Sequence, residues 1–341
     1  MSANDLPFDV DRLRDYLSAY LDETSGPFAL RRLEGGQSNP TYRMQVGSKA
    51  YVLRSKPFGQ VLSSAHAVDR EFRVISALAG TEVPIPRTLC MCDDLNVIGA
   101  QFYVMEFIDG RVHWDPALPH YDVSHRRDMF QEMNRVIAAL HKVDYRAVGL
   151  ESFGKPGSFF DRQIARWTLQ YRQSETVQIE AMERLIDWLP KQSFPADETS
   201  IVHGDYRLDN AIFHPERPEI LAVLDWELST LGHPLSDFAY HCMTWRLPPG
   251  PLRGLSGVDL GAAGIPTEAE YVQLYCDRTG RHPIEGHVWT FCIAFNLFRL
   301  AAILQGIARR AADGTSNNPN AVSMGYLAGT VADIACKQLD I

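Results

Sequence analysis

The chain reads as a mixed α/β (α+β) protein built as two lobes, and three observations point there. Its 341 residues, 45% of them hydrophobic, are more than one core of ordinary size needs. Before residue 109 the apolar residues alternate or run in short stretches, as in an antiparallel sheet, with one helix inside the sheet and one before it. Beyond it they recur at helical spacing, interrupted by one hairpin. The expectation is an N-terminal antiparallel sheet-plus-helix lobe over 1–108 and a larger, mainly helical C-terminal lobe over 109–341.

In chain order, Val10–Tyr20 sets Val10, Leu13 and Leu17 on one helical face with Asp9 as N-cap. Leu30–Val46 reads as two strands around a Gly35-Gly36 turn, and Tyr51–Arg54 alternates as a third. His66–Leu78 is helical, with Val68, Phe72, Ile75 and Leu78 on one stripe. Phe102–Gly110 is an apolar strand ending in Asp-Gly. Helices are expected over Tyr121–Lys142, Phe160–Tyr171, Glu175–Leu189, Thr267–Thr279, Val288–Ala312 and Ala321–Leu339. Asp237 precedes an apolar helical run and reads as its N-cap. Arg246–Ile265 is too rich in Pro and Gly for a core element, and a loop of that length is a lid, a binding loop or disordered.

The net charge of −9 leaves no basic stripe for nucleic acid. Six cysteines without a C-x-x-C pair read as reduced, buried thiols of a cytoplasmic protein. Met1–Pro7 has neither a basic stretch nor an apolar run, so no secretory leader is expected. Val288–Gly306 is long and apolar, but Asn296 and Arg299 near its middle argue for a buried helix rather than a membrane span.

The chemistry concentrates in Ile201–Phe213 and Ile220–Trp226. Two apolar runs flank His214-Pro-Glu-Arg-Pro218, a hairpin pattern. Folding it about Glu216 brings Asp225 level with about Leu208, close to Asn210, while Asp205 lies five residues before Asn210 in a polar loop. Two carboxylates and an amide oxygen suit Mg²⁺, which keeps one or two protein carboxylates and completes its shell with water and phosphate. The remaining carboxylate, Asp205, can face a substrate hydroxyl. An acid-x4-Asn loop followed by a strand-borne Asp is the order protein kinases use for base and metal ligands.

His203-Gly-Asp-Tyr-Arg-Leu-Asp-Asn210 with Leu224-Asp-Trp226 resembles the signature of the aminoglycoside phosphotransferase/choline kinase-like superfamily. Leu224-Asp-Trp-Glu-Leu-Ser followed by Gly232-His-Pro-Leu-Ser-Asp237 most resembles the domains fused to acyl-CoA dehydrogenases and their free-standing bacterial relatives. The resemblance implies a bilobal protein-kinase-like fold and ATP- and Mg²⁺-dependent phosphorylation of a small-molecule hydroxyl. It puts Asp205 as base and Asn210 and Asp225 on the metal. It makes Gly35, Gly36 and Ser38 part of a phosphate-covering loop. Arg54 stands where the family's phosphate lysine stands, with Lys56 as the alternative, and Glu71 holds it unless it is a solvated partner of Arg70 or Arg73. Backbone groups from Glu106 to Ile108 would meet the adenine. Asp237 would brace the catalytic loop, with His203 and His141 structural.

On the substrate side, Arg207, Trp226, Trp245 and Arg299 are the candidate contacts, Arg299 being an anion contact or half of a buried ion pair. Between His241 and Arg310 stand seven arginines, no lysine and five acids. That surplus is the wrong sign for a polycationic aminoglycoside and favours a neutral or anionic hydroxyl compound such as a hydroxyacyl thioester. Trp245, Trp289, Phe291, Phe295 and Phe298 would line an acyl pocket or form core. The competing readings are an aminoglycoside kinase, a nucleotide-binding module without catalysis, and a hydrolase using His203 and Asp205, which lacks further ligands at metal-site spacing.

Overall fold

The computed structural model describes residues 6–21, 26–33, 39–58, 67–193, 195–315 and 320–341. The glycine loop at Gly35, Gly36 and Ser38 lies outside the described residues. Helix α1 (Val10–Leu17) is followed by β1 (Phe28–Arg32), β2 (Thr41–Val46), β3 (Lys49–Ser55), α2 (Val68–Ala77), β4 (Thr88–Cys92), α3 (Leu95–Ile98) and β5 (Phe102–Glu106). Then come α4 (Val123–Lys142), α5 (Phe159–Ser174), α6 (Glu180–Trp188), β6 (Ser200–Val202), β7 (Ala211–Phe213), β8 (Ile220–Val223) and β9 (Thr230–Gly232). The chain ends on α7 (Pro234–Cys242), α8 (Leu260–Ala263), α9 (Glu268–Thr279), α10 (Gly286–Ala312) and α11 (Ala321–Leu339).

Two compact units emerge. The first comprises Met1–Arg111, Arg146–Phe153 and Asn210–Ser229; the second comprises Val112–Tyr145, Gly154–Asp209 and Thr230–Ile341. The β7–β8 hairpin therefore belongs to the same unit as the N-terminal sheet.

In the first unit the sheet runs β1-β2-β3-β5-β4, antiparallel throughout. Period-2 alternation sorts its side chains. Tyr42, Met44, Tyr51, Leu53, Phe102 and Val104 cluster with Leu13 and Leu17 of α1. The intervening residues Arg54 and Tyr103, opposite each other in the register, face the other way, toward α2. The unforeseen strand β4 supplies the sheet edge; its Cys90 and Cys92 are buried and unoxidised.

In the second unit α10 packs along α11, α5 and α7. It is long and apolar enough to cross a membrane, but 67% of its most apolar stretch is already buried by protein. Its Asn296, fully buried, donates to the carbonyls of Ser236 and Cys292. β6 and β9 pair over three residues each, too short for any periodic signal. One expectation fails here and another is narrowed. Helix α7 starts at Pro234 with His233 as N-cap, its Nδ1 accepting the Leu235 amide, so Asp237 is not a cap. The Pro/Gly-rich stretch 246–265 is ordered, burying Leu247, Leu255 and Ile265 and forming α8. Leu255 and Ser256 donate to the carbonyls of Thr244 and Leu247.

Candidate active site

The first unit builds a cluster around Arg54. Its Nε lies 2.8 Å from Glu71 Oε2, its Nη2 donates to Asp225 Oδ1 at 3.0 Å, and Glu227 is 3.8 Å away. Glu71 is 1% exposed and also accepts from Asn39 Nδ2 at 2.9 Å and from the Tyr103 hydroxyl at 3.1 Å. Burial pushes the Glu71 carboxyl up to about 7, with Arg54 pulling the other way. The Arg54 charge resists burial because Glu71, Tyr103 and Asp225 surround it. Strand parity and helix position meet here: Arg54 is the last α2-facing residue of β3, and Glu71 is in the first turn of α2. Lys56 lies past the strand and sits 3.9 Å from Asp69 instead. Arg70 and Arg73 turn from Glu71 to the segment below α2. Arg70 donates to the carbonyls of Phe153 and Ser229, and Arg73 to Gly149 and Ser152.

The hairpin brings Asn210 and Asp225 to its open end. Ala211 pairs with Val223, and the Leu224 amide donates to the Asn210 carbonyl at 2.8 Å, so the two residues are nearer in register than the sequence suggests. Asp225 adopts φ 64°, a strained setting for a non-glycine residue of the kind concentrated at functional sites. Hard oxygen donors on Asn210 and Asp225 fit Mg²⁺. Among the described residues no group of three or more His, Cys, Asp or Glu could cage an ion by protein alone.

At the strand running out of the sheet, the Glu106 amide donates to the Arg87 carbonyl and the Phe107 amide to that of Ala50. Those two donors belong to the fold and are not open to a base. Trp226, 1% exposed with its Nε1 on the Val223 carbonyl, is core and cannot touch a substrate.

The second unit holds the loop around Asp205. Gly204 has φ 83°, which only glycine adopts readily. Buried Asp237 accepts the amides of His203 and Gly204, each at 2.8 Å, and His141 Nε2 lies 3.1 Å away. His141 Nδ1 contacts the Tyr275 hydroxyl at 2.7 Å. Burial would push the Asp237 carboxyl up, but His141 and the His203 amide outweigh it and hold it below the usual range. The Asp205 amide donates to His203 Nδ1 at 3.2 Å. Asp205 Oδ1 accepts the Tyr240 hydroxyl at 2.7 Å and lies 3.0 Å from Arg207 Nε. Arg207 reaches on to Asp209, which also pairs with Arg253.

Arg207, Asp209, Tyr240 and Arg253 border a cavity of about 130 Å³. Its wall includes Trp114, Leu247, Leu300, Leu304 and Met324, and its polar side Arg207, Asp209, Tyr240 and Arg253. The Arg253 guanidinium lies 4.4 Å from the exposed Trp114 ring. This lining corrects the expected one. Trp245 is core, its Nε1 on the Pro266 carbonyl, and Phe291, Phe295 and Phe298 are at most 1% exposed. Among the described residues Arg299 neither pairs with an acid nor lines the cavity; it donates to the Gly204 carbonyl at 2.7 Å. The arginine surplus also dissolves. Arg246 pairs with Glu268 inside the segment, while Arg253, Arg281 and Arg309 pair with Asp209, Glu198 and Asp313 from outside it. Tyr240, Asp209, Arg253 and Trp114 went unassigned in the sequence. Tyr240 was within reach, being three residues after Asp237 and hence on the same helix face.

A family model described as "phosphotransferase enzyme family" matches residues 29–271. A crystal structure of a Ralstonia eutropha protein is 50% identical, with a TM-score of 0.90 and 98% of each chain covered. Acyl-CoA dehydrogenase family member 10 of Mus musculus is 46% identical over 95% of this chain, which spans only 30% of that protein. A complex of the aminoglycoside phosphotransferase APH(4)-Ia with ADP and hygromycin B shares the fold at 15% identity, with a TM-score of 0.62 and 95% and 97% of the two chains covered. The match over residues 29–271 and the end-to-end likeness to a half-identical structure establish that the chain belongs to the phosphotransferase enzyme family and is a small-molecule kinase.

Proposed function

We propose that the protein transfers the terminal phosphoryl group of ATP, with Mg²⁺, to a hydroxyl on a small molecule with an apolar body, neutral or anionic, such as a hydroxyacyl thioester. The observation that carries the nucleotide half is the buried Arg54–Glu71 pair with Asp225 on the same guanidinium. A fixed guanidinium is suited to binding phosphate oxygens as a fork. Asn210 and Asp225 would hold Mg²⁺, which when bound neutralises charge on the phosphates. The amide of Ile108, which enters no backbone hydrogen bond among the described residues, is the donor left for the adenine. Asp205 orients the substrate hydroxyl and accepts its proton. Phosphoryl transfer needs positioning and charge stabilisation, and no covalent intermediate.

The acceptor class rests on the cavity of the second unit. Its walls are apolar, and its one carboxylate, Asp209, is already shared by two arginines. A polycation would find no unpaired acid there. Hydroxyacyl compounds as acceptors are further supported by the likeness to acyl-CoA dehydrogenase family proteins, an argument by analogy. The test is ADP release from MgATP with short hydroxyacyl-CoAs against kanamycin-type compounds. Turnover on the thioesters, reduced about a hundredfold or more in Asp205→Asn, is expected. Efficient phosphorylation of the aminoglycosides alone would overturn the acceptor assignment, and wild-type turnover in Asp205→Asn would remove that residue as base.

A further inference from the structure

We propose that Tyr240 is the positioning residue of the base, fixing the Asp205 carboxylate through its hydroxyl, and that Arg299 is its backing. The inference rests on the role of Asp205 given above. Three side chains from two helices converge on one short loop. From α7, Asp237 takes the amides of His203 and Gly204, and one turn later the Tyr240 hydroxyl donates to Asp205 Oδ1 at 2.7 Å. From α10, the Arg299 Nη2 donates to the Gly204 carbonyl at 2.7 Å. The peptide unit before the base is thereby held at its carbonyl and its preceding amide. The same guanidinium lies 4.8 Å from the centre of the Tyr240 ring and 5.5 Å from that of Trp167, so the phenol is packed against a cation on its face.

Tyr240 is 7% exposed, so its hydroxyl has little alternative in water, and Asp205 Oδ1 is its acceptor. Charged groups near Asp205 include Arg207, at 3.0 Å from the same oxygen, and, behind Tyr240, Arg299. A short neutral donor held on a rigid helix sets the carboxylate plane, whereas Arg207, 39% exposed at its side chain, divides its charge between Asp205 and Asp209. A base held within a few tenths of an ångström of its productive position is worth orders of magnitude in rate.

The experiment is a double-mutant cycle read by the slow release of ADP from MgATP with water as acceptor. Tyr240→Phe keeps the ring and its stack on Arg299 and removes one hydroxyl. We expect kcat to fall about tenfold, the loss of one hydrogen bond to a charged group, with KM for MgATP unchanged and the melting temperature lowered by about a few degrees. In an Asp205→Asn background the same substitution should cost nothing further, because Tyr240 acts through the carboxylate. Arg299→Lys, which can still reach a carbonyl, should retain more activity than Arg299→Met. Wild-type kcat in Tyr240→Phe, or a tenfold loss that persists in the Asp205→Asn background, would overturn the inference. Unchanged turnover in Asp205→Asn alone would instead overturn the role of the base.

Discussion

Glu71 takes three donors on two oxygens: Arg54 and the Tyr103 hydroxyl on one, Asn39 on the other. A carboxylate so enclosed is fixed in place, and through it so is the guanidinium of Arg54, which is 14% exposed at its side chain. The resemblance to kinases raises Glu71 as a partner of Arg54, but sequence could not decide between that and a surface pair with its neighbours Arg70 and Arg73. The deciding fact is the burial of the first turn of α2 against β5, a tertiary property. Removing one member of a buried pair leaves an uncompensated charge. Glu71→Ala should therefore lose about 3 kcal/mol of stability. Urea unfolding at pH 8, where the carboxyl is ionised, measures it. A loss well under 1 kcal/mol would show that Asp225 and Glu227 hold Arg54 without it. The variant should also lose much of the melting-temperature rise that MgATP gives the wild type, since a ligand stabilises only the state that binds it.

Among the elements, α7 and the loop after it were read least well, for a physical reason. The Pro234 signal at a first helical turn was present, but Asp237 has the residue type of an N-cap and sits before an apolar run. Its carboxylate is instead aimed at the amides of another loop, which no local pattern encodes. The hairpin, by contrast, was legible because its two apolar runs and proline-bounded turn are local signals; only its register was off, shifted where a bulge falls between Ile212 and Phe213. Strands β6 and β9 escaped notice because three residues carry no period. The Pro and Gly content of 246–265 left a lid, a binding loop and disorder open, and Leu247 and Arg253 stand on the cavity wall. One glycine there has a packing reason: a Cβ on Gly254 would come 1.8 Å from the Leu247 carbonyl oxygen and 2.1 Å from its carbon. Backbone cannot give way cheaply. Gly254→Ala should cost about 2 kcal/mol, a typical overpacking penalty, and displace neighbouring Arg253 from Asp209. Denaturant unfolding and a changed response to acceptor compounds check this. Stability equal to wild type would mean that the loop moves aside without resistance.

For the whole molecule, the net charge of −9 hides two buried groups that pull stability in opposite directions as pH changes. His241, fully enclosed with Nε2 on the Tyr271 hydroxyl at 2.9 Å, is pushed by burial from its ordinary 6.5 down to about 4. Its contribution is complete above 6.5 and is lost as pH falls toward 4, because the unfolded chain binds the proton first. Glu71 is pushed by burial from 4.5 up to about 7. Its contribution is complete below 4.5 and is lost as pH rises through 7, because the folded chain keeps the proton longer. Each spans roughly 2.5 pH units, about 3 kcal/mol. Between about pH 4.5 and 6.5 the two slopes offset, so the wild type should show a nearly flat stability there. Below that window the loss resumes, since Asp237 and Glu198 are held below the usual carboxylate range and forfeit their contributions on protonation. The substitutions separate the slopes. Glu71→Gln should lose about 3 kcal/mol on acidification from pH 6.5 to 4, leaving His241 unopposed. His241→Gln should gain stability from pH 7 to 4.5, with Glu71 alone remaining. Urea midpoints across that range measure both, each variant being compared with itself so that its overall loss of stability drops out. If both variants follow the wild-type curve, neither group titrates as its burial dictates.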